Sequence, residues 1–155
     1  MTADRGAVFD LFAEYGALLY AGDYEIWLGL FAGECRYQVL PRENADAGLP
    51  VALIFCDSRA MLEDRIRALQ EANKYNIHTD RHLIGLPRIV GDDAVAIEVE
   101  APFAVFQTDQ EGGTTLFAAG LYRDRLVTER GRLRIRDKLV LLDTFAVPSL
   151  LATPL

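Results

Sequence analysis

The chain has 155 residues, 51% of them apolar, with 16 Lys+Arg against 23 Asp+Glu, 2 His and 2 Cys. That length fits one domain, spanning residues 1–155, with enough chain for a real core. A net charge of −7 argues against general nucleic-acid binding and against docking on anionic lipid, since both need a basic footprint.

The first six residues lack the basic stretch and apolar run of a secretory signal. No apolar run approaches the roughly 18–20 residues of a membrane span; the longest candidates are 51–56 and 116–122. A reducing cytoplasm is therefore the expected location. Residues 5–21 read as a helix, because Val8, Leu11, Phe12, Tyr15, Leu18 and Leu19 recur at helical spacing. Gly22 ends it, and Asp23 is placed to cap a second helix over about 24–32, which carries Ile26, Trp27, Leu30 and Phe31. Gly33 stops that helix.

A short strand over 35–40 follows, closed by Pro41. Residues 42–50 read as a polar loop, and 51–56 as a second short apolar run. Cys35 and Cys56 are too few for a disulfide framework and sit in or beside apolar runs, so buried reduced thiols are expected. Asp57 or Ser58 then caps a third helix over about 59–75, with Met61, Leu62, Ile66, Leu69 and Ala72 on its apolar face.

The second half changes period. Turn signals at 91–93, 111–113 and 129–131 separate strand-like runs near 82–90, 94–106, 115–128 and 132–143. Val95, Ile97, Val99, Ala101, Phe103 and Val105 alternate with Ala96, Glu98 and Glu100, which is the period of a half-buried strand. Pro102 and Gly120 inside these runs predict bulges or bends, hence curvature. Three N-terminal helices before a strongly curved antiparallel sheet make an α+β plan, with the helices in the concave side.

Few residues point to chemistry. His78 and His82 have the spacing of one helical turn, which suits a shared metal, but a third ligand is wanting beyond Asp80. The plainer reading is a structural role at a helix-to-strand corner. Asp57, Asp64, Arg65, Tyr15, Tyr37, Tyr122 and His82 would suit the mouth of a cone, where a carboxylate or imidazole base and a Tyr donor serve proton abstraction or dehydration. Against that stands a simple ion pair of Asp57 or Asp64 with Arg65 or Arg81. Ser58 and Ser149 lie in no nucleophile elbow, and no Gly-rich phosphate loop exists.

Arg132, Arg134, Arg136 and Lys138 place four cations on one strand face. This is either a solvated face balanced by Glu98, Glu100 or Asp124, or a docking surface for an acidic partner. The tail 145–155 is apolar and twice broken by proline, so it is expected to pack along its own sheet or on a neighbouring subunit. A Rieske cluster needs Cys-x-His and Cys-x-x-His spacings. Cys35 is followed by Arg36-Tyr37 and Cys56 by Asp57-Ser58, so this chain holds no such centre.

The run Asp57-Ser58-Arg59-Ala60-Met61-Leu62-Glu63-Asp64-Arg65-Ile66-Arg67-Ala68-Leu69 carries a resemblance. It continues through Asn73, Tyr75, His78, Arg81-His82, Gly85-Leu86-Pro87, Gly120-x-Tyr122-x-Asp124 and the 134–143 strand. Over nearly its whole length the chain resembles the small (β) subunits of aromatic-ring-hydroxylating, Rieske-type dioxygenases. Gly85-Leu86-Pro87 and the Leu-Leu-x-x-Pro-Leu ending are most similar to the terephthalate-acting branch. The resemblance implies a cone of the nuclear transport factor 2 type and an α3β3 assembly with β–β contacts. It places the Rieske [2Fe–2S] cluster, the mononuclear iron and the substrate pocket in the large (α) subunit. The small subunit is then structural, with no catalytic, cofactor-binding or metal residue. The product implied is the cis-dihydrodiol of an aromatic carboxylate. The same cone hosts isomerases and dehydratases, so a stand-alone enzyme using an Asp or His base and a Tyr donor is the competing expectation.

Overall fold

A computed structural model describes residues 3–49, 51–72, 77–144 and 153–155, with the backbone alone at Ala72. Helix α1 (Arg5–Ala21) opens on Asp4, whose carboxylate accepts from the amides of Gly6 and Ala7, and closes on Gly22 at φ 75°. That left-handed turn lets the Gly22 N–H return to the Leu18 and Leu19 carbonyls, which is why the helix stops there. Its predicted stripe is buried at Val8, Leu11, Phe12, Tyr15 and Leu19.

Helix α2 (Tyr24–Leu28) is shorter than the 24–32 expected, and strand β1 (Phe31–Pro41) begins before Gly33. Phe31 and Leu30 fit a helical stripe by spacing, yet Phe31 joins the sheet opposite Ile135. Residues 42–46, read as loop, make one helical turn, α3 (Arg42–Asp46). After β2 (Ile54–Cys56), α4 (Arg59–Ala72) starts where Ser58 Oγ accepts from the Met61 amide at 3.2 Å. Leu62, Ile66 and Leu69 face the core as expected, whereas Met61 is exposed. The expected continuation over 73–75 lies outside the described residues.

The sheet then runs β3 (Thr79–Ile84), β4 (Arg88–Asp92), β5 (Ile97–Thr108), β6 (Thr114–Glu129) and β7 (Arg132–Leu142). Its order is β2-β1-β7-β6-β5-β3, with β4 also on β5. Every pairing is antiparallel except β1 with β7, which run parallel. The run expected over 82–90 is two edge strands split at Gly85-Leu86-Pro87. Pro102 explains the split. It lacks an N–H to donate, and on β5 it falls between Phe103, which pairs with β3, and Glu100, which pairs with β4. Its carbonyl accepts from Gly85 N at 2.7 Å, and a Cβ on Gly85 would lie 2.6 Å from Pro102 Cγ.

Register shifts occur in four pairings, including Val105/Phe106 on β5 and Arg125/Leu126 on β6. Each adds local twist, and together they curl the sheet around α1 and α4. Gly120 is not itself a bulge. It is a close approach, since a Cβ there would sit 1.8 Å from the Leu141 carbonyl oxygen. This is the cone of the nuclear transport factor 2 type, with helices against a curled sheet.

Candidate functional site: the filled interior of the cone

On the concave face the sheet points Tyr37 of β1, Phe103 of β5, Tyr122 of β6 and Val140 of β7 inward, while α1 adds Phe12 and Tyr15 and α2 adds Trp27. The rings close on one another. Phe103 stacks on Tyr122 at 4.2 Å between centroids, Trp27 meets Phe31 edge-on at 4.8 Å, and Tyr15 lies 5.6 Å from Trp27 and 5.7 Å from Tyr122. These are the separations of contacting aromatic pairs.

Among these rings sits an ion pair. Lys138 Nζ donates to Asp124 Oδ2 at 2.8 Å, and both side chains are wholly buried. Burial pushes the Asp124 carboxyl up and the Lys138 ammonium down, while each partner's charge opposes the shift of the other. The ammonium also lies 3.7 Å from the Tyr122 ring centroid and 4.2 Å from that of Tyr15, so the ring faces help hold the charge. Desolvation likewise holds the hydroxyls of Tyr15, Tyr37 and Tyr122 well above the ordinary phenol range.

Lys138 overturns the reading of four cations on one face. A straight hairpin from Arg130-Gly131, both at positive φ, would set Asp124 against Asp137. The shift at Arg125/Leu126 leaves Arg136 extra, pairs Arg125 with Asp137, and brings Lys138 opposite Asp124. Inward residues are thus Ile135 before the bulge and Lys138, Val140 and Leu142 after it. Two like charges facing across a ladder were the sequence signal for that bulge. Arg132 and Arg134 border a groove with Asp10 and Glu14 of α1, and Arg136 lies in a separate hollow with Arg36, Arg59, Arg125, Asp57 and Asp137.

Of the other candidates, Arg65 stands near enough to Tyr37 for its charge to oppose the effect of burial on that hydroxyl, but the candidate carboxylates and histidines are not brought to it. Asp57 pairs with Arg36 at 3.1 Å and Asp64 with Arg67 at 3.2 Å, both on the outer surface. His78 precedes β3 and bonds Asp80 at 3.1 Å, whereas His82 lies within β3 and is buried. Four residues of extended chain span about 13 Å, so the helical spacing of the two histidines brings no shared metal. Among the described residues no group of three or more His, Cys, Asp or Glu is placed to hold a metal ion. Burial lowers the His82 pKa to about 4, against the opposing influences of Asp80 and the Pro154 carbonyl. The carbonyl stands close, yet neither ring nitrogen of His82 has a partner in hydrogen-bond geometry among the described residues. Cys35 and Cys56 are free and buried, and desolvation raises the Cys35 thiol to about 11. Neither is poised as a thiolate nucleophile.

Of the tail, 145–152 lies outside the described residues. Thr153, Pro154 and Leu155 are buried. The Leu155 N–H donates to Tyr37 Oη at 2.8 Å, and the Leu155 carbonyl accepts from the Tyr15 and Tyr37 hydroxyls at 2.5 and 3.2 Å. No helix of the described residues is long and apolar enough to cross a membrane.

The family profile described as the ring hydroxylating beta subunit matches residues 16–149. The chain belongs to that family. It is 37% identical over 143 residues to the beta 2 subunit of the terminal oxygenase component of terephthalate 1,2-dioxygenase from a Comamonas species, covering 92% of this chain and 93% of that one. It is 40% identical over 131 residues to the anthranilate 1,2-dioxygenase small subunit of Burkholderia cepacia, covering 84% and 81%. A crystal structure of a beta subunit assigned to an aromatic-ring-hydroxylating dioxygenase of Novosphingobium aromaticivorans superimposes with a TM-score of 0.88 at 41% identity, covering 97% of this chain and 96% of that one. As a family member the chain is a small subunit of an oxidoreductase complex.

Proposed function

We propose that this chain is the structural small subunit of a cytoplasmic α3β3 dioxygenase that converts an aromatic carboxylate of the terephthalate kind to its cis-dihydrodiol. Its whole length acts as one domain and carries no active site. The Rieske cluster and the mononuclear iron belong to the large subunit. The observation that carries the structural role is the filled interior. Tyr15, Trp27, Tyr37, Phe103 and Tyr122 occupy with their rings the space an isomerase or dehydratase of this fold would need for substrate. The two candidate carboxylate bases, Asp57 and Asp64, stand outside the cone. The substrate class rests on the relatives, one named for terephthalate and one for anthranilate, both aromatic carboxylates.

The test is turnover by the oxygenase reconstituted from this chain, its large subunit and a reductase. Terephthalate is expected to yield a cis-dihydrodiol faster than anthranilate does. Turnover confined to substrates without a carboxylate would refute the substrate class. Isomerase or dehydratase turnover by this chain alone would refute the structural role.

A further inference from the structure

Outside the filled cone, an open groove of about 660 Å³ runs between α1 and β3. Phe9, Ala13, Gly16 and Tyr20 follow one another at spacings of four, three and four, so they share one face of α1 and form one wall. The small residues between the two rings leave a trough whose ends lie about 16 Å apart along the helix axis. The other wall starts at Arg81 beside Tyr20 and passes Ile84, whose Cδ1 would lie 3.4 Å from a Cβ on Gly16. It ends at the Gly85-Leu86-Pro87 break, where Leu86 and Pro87 share a second hollow with Phe9. The lining is apolar apart from the Tyr20 hydroxyl, His82, which is neutral near pH 7 with a pKa of about 4, and Arg81. The Arg81 guanidinium lies 3.7 Å over the Tyr20 ring centroid, and no carboxylate pairs with it among the described residues. Stacking on the ring orients the guanidinium plane and leaves the N–H donors at its edge free. The second hollow adds Arg5 and Arg88, the latter bonded to Glu100 at 2.9 Å. Among the described residues no Asp or Glu lines either hollow, in a chain whose net charge is −7.

We infer that this groove binds an unbranched amphipathic carboxylate, of the medium-chain fatty-acid class, with its carboxylate on Arg81 and its chain along the trough towards Phe9. The head group follows from the guanidinium, whose fork of N–H donors matches the two oxygens of a carboxylate. The chain follows from the shape. A compact ring would fill only the Tyr20 end, whereas an extended chain lies on Ala13, Gly16 and Ala17 and reaches Leu86. Each methylene taken from water there adds affinity. The volume lies within the range of ligand sites, and apolar walls with one placed polar group are their usual composition. A cationic amphiphile is disfavoured, because Arg81 repels its head and no acidic residue lines the groove to receive it. The inference stands apart from the assembly and the substrate proposed above.

Decanoate, kept below its micelle concentration, is the probe, and nuclear magnetic resonance titration of the full chain is the readout. Decanoate is expected to shift the amide signals of Ala13, Gly16, Ala17 and Leu83 and to leave those of β1 in place. Decylammonium, with the same chain and the opposite charge, is expected to bind at least tenfold more weakly, and so is butyrate, with the same head and a short chain. Arg81→Gln, at an exposed position, is expected to weaken decanoate binding at least tenfold. Ala17→Trp, which fills the trough from an exposed position, is expected to weaken it as much. Signals along the groove unmoved by decanoate would overturn the inference. So would decylammonium or butyrate binding as tightly as decanoate, or either variant binding decanoate as the unaltered chain does. If a variant does not fold, the signals that move and the comparison of the three ligands on the unaltered chain decide.

Discussion

Replacing Lys138 by Met tests the core most sharply. The Lys138 and Asp124 side chains are both fully buried and 2.8 Å apart, and Asp124 Oδ1 has no other partner among the described residues. Removing the ammonium strands a carboxylate among aromatic rings, and breaking a buried pair from one side costs about 3–5 kcal/mol. The lost contact of the ammonium with the Tyr122 face, at 3.7 Å, falls in the same direction. Total stability is typically about 5–15 kcal/mol, so Lys138→Met, at about 3–5 kcal/mol, is expected to remove about a fifth of it or more. Asp124→Leu with Lys138→Met removes both charges and is expected to lie within about 2 kcal/mol of native. The assay is guanidinium unfolding followed by fluorescence of Trp27, the chain's one tryptophan and wholly buried. Acidity gives a signature. In Lys138→Met the Asp124 carboxyl, already raised by burial, loses the cation that lowers it. A raised folded pKa contributes stability at low pH that is lost as pH rises, so the gap between variant and native should narrow on acidification. A single variant costing under about 1 kcal/mol, or a double variant as unstable as the single, would refute the reasoning.

Two further outcomes are expected. His82 has its pKa lowered from 6.5 to about 4. Its contribution is complete above pH 6.5 and is lost as pH falls toward 4, because the unfolded chain takes up a proton the folded chain refuses. That is about 3 kcal/mol over the window, and the fall in urea midpoint between pH 7 and pH 4 should flatten in His82→Leu; an unchanged slope would contradict the assignment. Gly120→Ala puts a Cβ against the Leu141 carbonyl at 1.8 Å, so β6 and β7 must separate there. A loss of about 3 kcal/mol or more is expected in thermal melts, and a neutral effect would show the approach is not as close as described.

Where local pattern and tertiary context agree, the sequence is a good guide. The stripe of α1, the alternation of Ile97 to Val105 and the hairpin at Arg130-Gly131 all stand where periodicity puts them. Val95 and Ala96 depart from it, Val95 exposed and Ala96 buried, because the strand starts only at Ile97. Long-range choices were not legible. The parallel pairing of β1 with β7 joins residues about a hundred positions apart, and Phe31 is drawn from an apparent helix into that ladder. The most consequential miss is one residue wide. Because side-chain direction alternates along a strand, the bulge at Arg136 reverses every residue beyond it and moves Lys138 from the outer surface to the centre of the core. His78 and His82 mislead for the same kind of reason, since helical spacing has no meaning on extended chain.

The central claim is that this chain serves as the iron-free structural half of a ring-hydroxylating oxygenase. Native mass spectrometry with iron analysis, on the chain co-expressed with its large oxygenase subunit, tests it most directly. The account predicts one assembly of three large and three small subunits, with all iron retained by the large chain after the two are separated. A large subunit that assembles and turns over normally while this chain runs apart from it, or iron that stays with this chain, would contradict it.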